Sequence, residues 1–164
     1  MSEAGAPAAG AGATTLGVIS DTHDVLDPRV AVAFAGVERI LHAGDICNPD
    51  VLWELEAIAP VTAVLGNMDS AIPGFALCPT ARLRIDGVDL LVTHKLALRD
   101  IASLLPGARV VVSGHTHVPS INLYGKVLYV NPGSASQPRQ ADGRRTVGLL
   151  EIRRGRASAR IVLL

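Results

Sequence analysis

Hydrophobic positions along this chain fall into short runs, and each run stops at a polar cluster. Residues 16–20 end at Asp21-Thr22-His23, residues 39–42 run into Gly44-Asp45, and residues 61–65 run into Gly66-Asn67. Further on, residues 88–93 lead to His94, and residues 109–113 lead to Gly114-His115-Thr116-His117. Apolar runs this short, bounded by turn-forming residues, read as buried strands. Between the first three, residues 28–36 carry Val30, Val32, Ala33 and Phe34 at roughly helical spacing. Asn48-Pro49-Asp50 supplies N-cap chemistry ahead of a helix bearing Leu52, Leu55 and Ile58. The first half is therefore a βαβαβ succession, which predicts parallel strands with right-handed crossovers.

The second half changes character. Residues 82–85 and 88–93 flank Asp86-Gly87, a strong hairpin signal, and residues 121–124 and 126–130 flank Gly125 in a similar way. Residues 98–105 read as a helix between the strands at 88–93 and 109–113. Residues 146–152 and 157–164 close the chain as strands, with Arg153, Arg154 and Arg156 at the turn between them. A βα half followed by a β-rich half predicts two sheets packed face to face with helices outside, an α/β architecture.

At 164 residues the chain suits one domain with a proper core. Its 49% hydrophobic content argues for a folded globule, and an aromatic content of only 3% leaves Val, Leu, Ile and Ala to fill the interior. Residues 1–13, rich in Ala and Gly, read as a flexible tail rather than a signal peptide, and residues 14–164 as the single domain. No apolar run approaches the roughly 18–20 residues needed to cross a bilayer, so a cytoplasmic protein without a membrane partner is expected. Fifteen basic residues balance fifteen acidic ones, which gives no global field to attract nucleic acid. The arginines at 144, 145, 153, 154, 156 and 160 lack interleaved aromatics and read as a solvated edge. Cys47 and Cys78 read as free thiols suited to a reducing compartment, with a soft ligand role for Cys47 the lesser reading.

Four of the five histidines lie in the strand-end clusters, where open α/β sheets gather their ligand sites. Alone, an Asp-x-His is commonly a capped loop, a Gly-Asp a turn, and a strand-end His a satisfied polar residue. Together and in this order they supply carboxylate, amide and imidazole without thiolate, a donor set that suits Mn, Fe, Zn, Ni or Mg. The Asp45 carboxylate has two oxygens and can bridge two cations, which makes a two-metal site and phosphoester hydrolysis the natural chemistry. His42 and Asp24 sit beside these clusters, His42 as a structural or ligand-orienting hydrogen-bonding group and Asp24 as a loop cap or orienter. Asn131 to Ser134 read as a tight turn closing the site.

In this order, Asp21-x-His23, Gly44-Asp45, Gly66-Asn67-x-Asp69, His94 and Gly114-His115-x-His117 resemble the motifs of the calcineurin-like metallophosphoesterases. The compact length, His42-Ala43-Gly44-Asp45 and Asn131-Pro132-Gly133-Ser134 are similar to the small YfcE-type phosphodiesterases, which also resemble the retromer subunit Vps29. The resemblance implies a four-layer αββα sandwich of two mixed sheets flanked by helices. It implies one metal on Asp21, His23, Asp45 and His117 and another on Asp45, Asn67, His94 and His115, with Mn the first choice. It also implies in-line attack on phosphorus by a hydroxide bridging the metals. The expected catalytic residues are Asp45, Asn67, His94 and Lys95, acting on a small-molecule phosphoester, with a homo-oligomer allowed. Two positions depart from the pattern: Met68 stands where many members carry a histidine near the leaving group, and Lys95-Leu96 follows His94 where Gly-His is common. The alternative is a non-catalytic, Vps29-like protein-binding scaffold.

Overall fold

The computed structural model describes residues 12–96 and 107–164. The first strand, β1 (Thr14–Ile19), pairs in parallel with β2 (Arg39–His42), and β2 with β3 (Val61–Ala63). Short helices α1 (Arg29–Ala33) and α2 (Pro49–Glu56) fill the two crossovers. The second opens as its sequence predicts: the Asn48 side chain accepts from Asp50 N at 3.0 Å, and Pro49 occupies the first turn, where its missing N–H costs nothing. The first begins one residue later and ends three residues earlier than its apolar spacing suggests. Val64 and Leu65, expected to extend β3, leave it after Ala63, with Val64 bridging Cys78 instead.

Hairpins dominate the rest of the chain. β4 (Thr80–Ile85) and β5 (Val88–Thr93) meet at Asp86-Gly87, both with positive φ, the geometry that a two-residue hairpin turn requires. β6 (Val110–Val112) lies parallel to β5, and the hairpin of β7 (Ser120–Tyr124) and β8 (Val127–Asn131) follows, with β8 parallel to β6. β9 (Thr146–Arg153) returns antiparallel to β1, and β10 (Arg156–Leu163) pairs with β9 at the edge. Two five-stranded mixed sheets result, ordered β10-β9-β1-β2-β3 and β4-β5-β6-β8-β7.

Side-chain alternation sorts the core. Leu16 and Val18 of β1 face Leu90, Val92, Val110 and Val112 across the gap between the sheets, while Ile19 and Ile40 point to the other face and pack on Val30, Phe34, Leu52 and Leu55. The outer face of the second sheet buries Leu91, Val111 and Ala108 against Leu96 and Tyr129. The helix expected at residues 98–105 and most of the tail at 1–13 lie outside the described residues. Among the described residues no helix is long and apolar enough to cross a membrane.

This arrangement puts the ends of β1, β2, β3, β5 and β6 together at one rim. Buried Asp27 anchors the long loop after β1: Arg29 donates to it at 2.9 and 2.6 Å, and Arg145, just ahead of β9, donates at 3.0 Å. The Arg29 and Arg145 guanidiniums hold its carboxyl well below the usual carboxylate range despite burial. The remaining arginines of the series stay at the surface, Arg144 beside Asp142 and the others exposed along β9 and β10.

Candidate metal centre

Beyond the last residue of β1, chain pairing with β2 continues into the loops in irregular form. Asp21 N donates to Gly44 O at 3.0 Å, His23 N to Asp45 O at 3.1 Å, and Asp24 N to Ile46 O at 3.1 Å. To keep these bonds while turning their side chains inward, Asp21, His23, Asp24, Asp45 and Cys47 adopt φ between 42° and 73°, and His115 and His117 do the same at 70° and 60°. Each non-glycine residue held there costs on the order of 1 kcal/mol or more. Such residues gather at sites where side-chain direction matters more than local stability.

Close approach of the loops depends on glycine. A Cβ on Gly44 would sit 2.8 Å from Gly66 Cα and from His94 Nδ1, and a Cβ on Gly66 would overlap the Asp45 carboxylate and backbone nitrogen. Only hydrogen atoms fit at this crossing, so the Asp45 and Asn67 loops touch backbone to backbone.

The donor atoms then converge in two groups. In the first, one ligand-type atom from each of Asp21, His23, Asp45 and His117 lies within 4.8 Å of all the others. His117 Nδ1 donates to Gln137 O at 2.6 Å, so in the neutral ring Nε2 carries a bare lone pair. That lone pair faces Asp21 Oδ1 at 3.1 Å and His23 Nε2 at 3.3 Å. Asp21 Oδ1 is buried and accepts no hydrogen bond, although its other oxygen takes His115 N at 3.1 Å. Buried acceptors facing one another without a proton are costly. A cation between them removes the cost.

In the second group, His94 Nδ1 donates to Ala43 O at 2.7 Å, which leaves Nε2 facing Asn67 Oδ1 at 3.0 Å and Asp45 Oδ2 at 3.4 Å. His115 Nδ1 reaches the same Asn67 oxygen at 2.8 Å. Ligands about 2.1 Å from one ion stand roughly 3.0–3.4 Å apart in octahedral or tetrahedral geometry. Asp45 Oδ2 stands between the groups, 3.9 Å from His23 Nε2 on one side and 3.4 Å from His94 Nε2 on the other, while Oδ1 accepts Met68 N at 2.8 Å. All seven predicted ligands, Asp21, His23, Asp45, Asn67, His94, His115 and His117, are thus brought together with lone pairs inward, a fit for hard or borderline divalent cations. Burial, together with His94 and Lys95, holds His115 below the usual imidazole pKa and so favours its neutral, ligating form.

The supporting residues sort differently from expectation. His42 is completely buried: Gly44 N donates to its Nδ1, so its proton lies on Nε2 and goes to Thr22 Oγ1 at 3.1 Å. Burial, reinforced by His94 and His23 and opposed by Asp69, pushes its pKa down to about 3. It is a structural group, as the sequence suggested. Asp24 makes no side-chain hydrogen bond among the described residues and lines the cleft instead of capping its loop. The turn at Asn131 is a clamp: Asn131 Nδ2 donates to Gly114 O and Thr116 Oγ1, and Ser134 Oγ donates to Asp21 O at 2.7 Å. Both cysteines are free, and burial with Asp69 and Asp24 pushes the Cys47 thiol up to about 11, so it stays protonated 3.9 Å from His23 Nδ1.

Two residues gain roles that sequence spacing did not assign. Asp69 gives no ligand, yet its Oδ1 accepts Ile46 N and Cys47 N at 2.7 and 2.8 Å and its Oδ2 accepts Gly66 N at 2.7 Å. It ties the Asp45 loop to the Asn67 loop. Arg139 lines the cleft of about 390 Å³ in front of His23, Asp45, Asn67, His115 and His117. Its backbone nitrogen donates to His117 O, and its exposed guanidinium has no partner among the described residues. A Pro-Arg pair after a Gly-Ser turn was the only signal in sequence. Lys95 is exposed and lines a neighbouring cavity that shares His115 with this cleft.

Residues 15–155 match the calcineurin-like phosphoesterase superfamily domain. A probable metallophosphoesterase of Methanothermobacter thermautotrophicus is 39% identical over 138 residues, covering 77% of this chain and 80% of the relative. The phosphodiesterase YfcE of Escherichia coli K12 is 31% identical over 144 residues, covering 73% of this chain and 78% of that one. Among solved structures, zinc-complexed Vps29 from Entamoeba histolytica superposes with a TM-score of 0.71 over 92% of this chain and 99% of that one; at 21% identity it shows the fold alone. With the strand-end motifs in order, this chain belongs to the calcineurin-like phosphoesterase superfamily.

Proposed function

We propose that the chain is a dinuclear metal-dependent phosphodiesterase acting on a small phosphodiester. The observation that carries this reading is the position of Asp45 Oδ2 between two groups of inward-facing acceptors. Asp21, His23, Asp45 and His117 would hold one divalent cation, and Asp45, Asn67, His94 and His115 the other, with Mn the first candidate and Fe, Zn, Ni or Mg compatible. Two such cations, when bound, supply an activated water nucleophile for in-line displacement at phosphorus and neutralise charge on the phosphoryl oxygens.

The chain's own groups do the rest. Ala43 O and Gln137 O fix the tautomers of His94 and His117, so that Nε2 of each is ready to bind metal without losing a proton. Arg139 is a forked, permanently charged donor at the cleft and suits two non-bridging phosphoryl oxygens. Lys95 adds positive charge at the neighbouring cavity, next to His115. Exposed Met68 lines the cleft, and its thioether has no proton to give a departing oxygen. The leaving group must therefore be acidic enough to depart unaided.

A panel of bis(p-nitrophenyl) phosphate, alkyl diesters and alkyl monoesters, assayed on Mn-loaded protein, tests the reading. The aryl diester should turn over fastest, and Met68→His should narrow a gap that missing acid catalysis sets at roughly 10²- to 10⁴-fold. A wild-type preference for alkyl monoesters contradicts the Met68 argument. A protein that loads metal and hydrolyses none of the panel is a scaffold; metal binding alone does not separate the two, since a Vps29 structure itself contains zinc.

A further inference from the structure

The cleft of the candidate metal centre is flanked by a second cavity of about 600 Å³, and His115 lines both. Its near end is built from Lys95, Gly114, His115 and Thr116, the strand ends that carry the centre itself. Its floor is one face of the β7–β8 hairpin. Register puts Asn122 opposite Tyr129 and Ser120 opposite Asn131, with Tyr124 two residues beyond Asn122 on the same face. The Tyr124 and Tyr129 rings meet edge to face at 5.6 Å between centroids. Asn131 is committed to Gly114 and Thr116, but the Asn122 amide has no partner among the described residues. The floor thus offers two aromatic faces and one free donor–acceptor pair, in a chain that has only two tyrosines.

A phosphate monoester has one organic arm and needs one such space. A diester has two, and a site with two cavities meeting at one metal-ligand candidate suits it. Resting on the phosphodiesterase reading above, we propose that the tyrosine-lined cavity is a subsite for a planar heteroaromatic arm of the diester, a nucleobase-bearing group. The ring stacks on Tyr124 and meets Tyr129 at an angle, its polar edge meets the Asn122 amide, and the phosphate lies at the His115 end near Lys95. Stacking of a base on an aromatic side chain typically contributes about 1–3 kcal/mol, or roughly 5- to 150-fold in affinity. A chain of zero formal net charge offers no global field to hold a polyanion, which favours a small nucleoside diester over a polymer.

Two measurements on the full chain test the proposal. The first is calorimetric binding of adenosine 5′-monophosphate against inorganic phosphate to Mn-loaded wild type, Tyr124→Leu and Asn122→Ala. The nucleotide should bind wild type at least tenfold more tightly than phosphate, and both substitutions should remove most of that difference while leaving phosphate binding within twofold. Equal affinity of wild type for the two probes, or a difference that survives both substitutions, overturns it. The second compares kcat/KM for thymidine 5′-(p-nitrophenyl phosphate) and methyl p-nitrophenyl phosphate, which share a leaving group. Wild type should favour the nucleoside diester by tenfold or more, and Tyr124→Leu should collapse the ratio with methyl diester turnover unchanged. Turnover of both diesters at an equal rate overturns the subsite and leaves the phosphodiesterase reading standing. Discrimination in binding without turnover of either diester does the reverse.

Discussion

Asp69 and His42 are not among the seven candidate ligands, yet both hold the loops that carry them: Asp69 ties the Asp45 and Asn67 loops, and His42 joins Thr22 to Gly44 N. The Asp69 carboxylate satisfies three backbone N–H groups on two separate loops, and each such group left unpaired costs on the order of 1–3 kcal/mol. Asp69→Ala should therefore weaken Mn binding by roughly ten- to a hundredfold, as loss of a ligand-supporting hydrogen bond does, with a lower melting temperature in the metal-free protein. Unchanged Mn affinity in a folded variant would remove Asp69 from the account. His42 acts through acid stability. Its pKa is about 3 when folded and near 6.5 when unfolded, so between those values the unfolded chain binds the extra proton. Its contribution is complete above about pH 6.5 and is lost as pH falls towards 3. Urea unfolding of metal-free protein should show wild type losing about 2 kcal/mol more than His42→Gln between pH 7 and 5. Parallel losses in the two proteins would show that His42 is not held neutral by burial.

At the scale of elements, the candidate ligands converge because parallel strands deliver their carboxyl ends to one rim and glycines let the following loops cross. Gly66→Ala tests this without replacing a candidate ligand residue. Its Cβ would enter the space of the Asp45 carboxylate, and overpacking of this kind costs about 1–3 kcal/mol. Circular dichroism should report a folded protein with a modestly lower melting temperature, while calorimetry should report Mn affinity reduced tenfold or more. Wild-type affinity would mean the loops have slack at this crossing. Local elements of this kind are what sequence reveals well: the Asp86-Gly87 hairpin, the Asn48-Pro49 helix start and the five strand ends all follow from neighbours a few residues apart. The Asp69 clamp on Ile46 N and Cys47 N and the return of Arg139 to His117 depend on loops that meet only after folding. The insertion of β9 between β10 and β1 is likewise a pairing across more than a hundred residues, which no local pattern encodes. The left-handed backbone at His23, His115 and His117 was equally hidden, because contacts between loops distant in sequence accompany it: His23 N donates to Asp45 O, His115 N to Asp21 Oδ2, and His117 O accepts Arg139 N.

At the scale of the whole molecule, two five-stranded sheets carry most of the burial, so a rigid sandwich holds a strained rim. Within that frame the convergence of the candidate ligands was legible and the surroundings were not: histidines and aspartates at strand ends mark a candidate centre by type and order, whereas the shape of the cavity beside it depends on which hairpin face the fold turns towards it. The central claim is that Asp45 is shared between two cations that together support hydrolysis. Its most direct test is a titration of Mn into metal-free wild type and Asp45→Asn, with bound metal per chain and bis(p-nitrophenyl) phosphate turnover read from the same samples. The account predicts that wild type saturates at two ions per chain, that turnover rises with occupancy of the second, and that Asp45→Asn loses both together. Saturation of wild type at one ion or none, or a fully active Asp45→Asn, would contradict it.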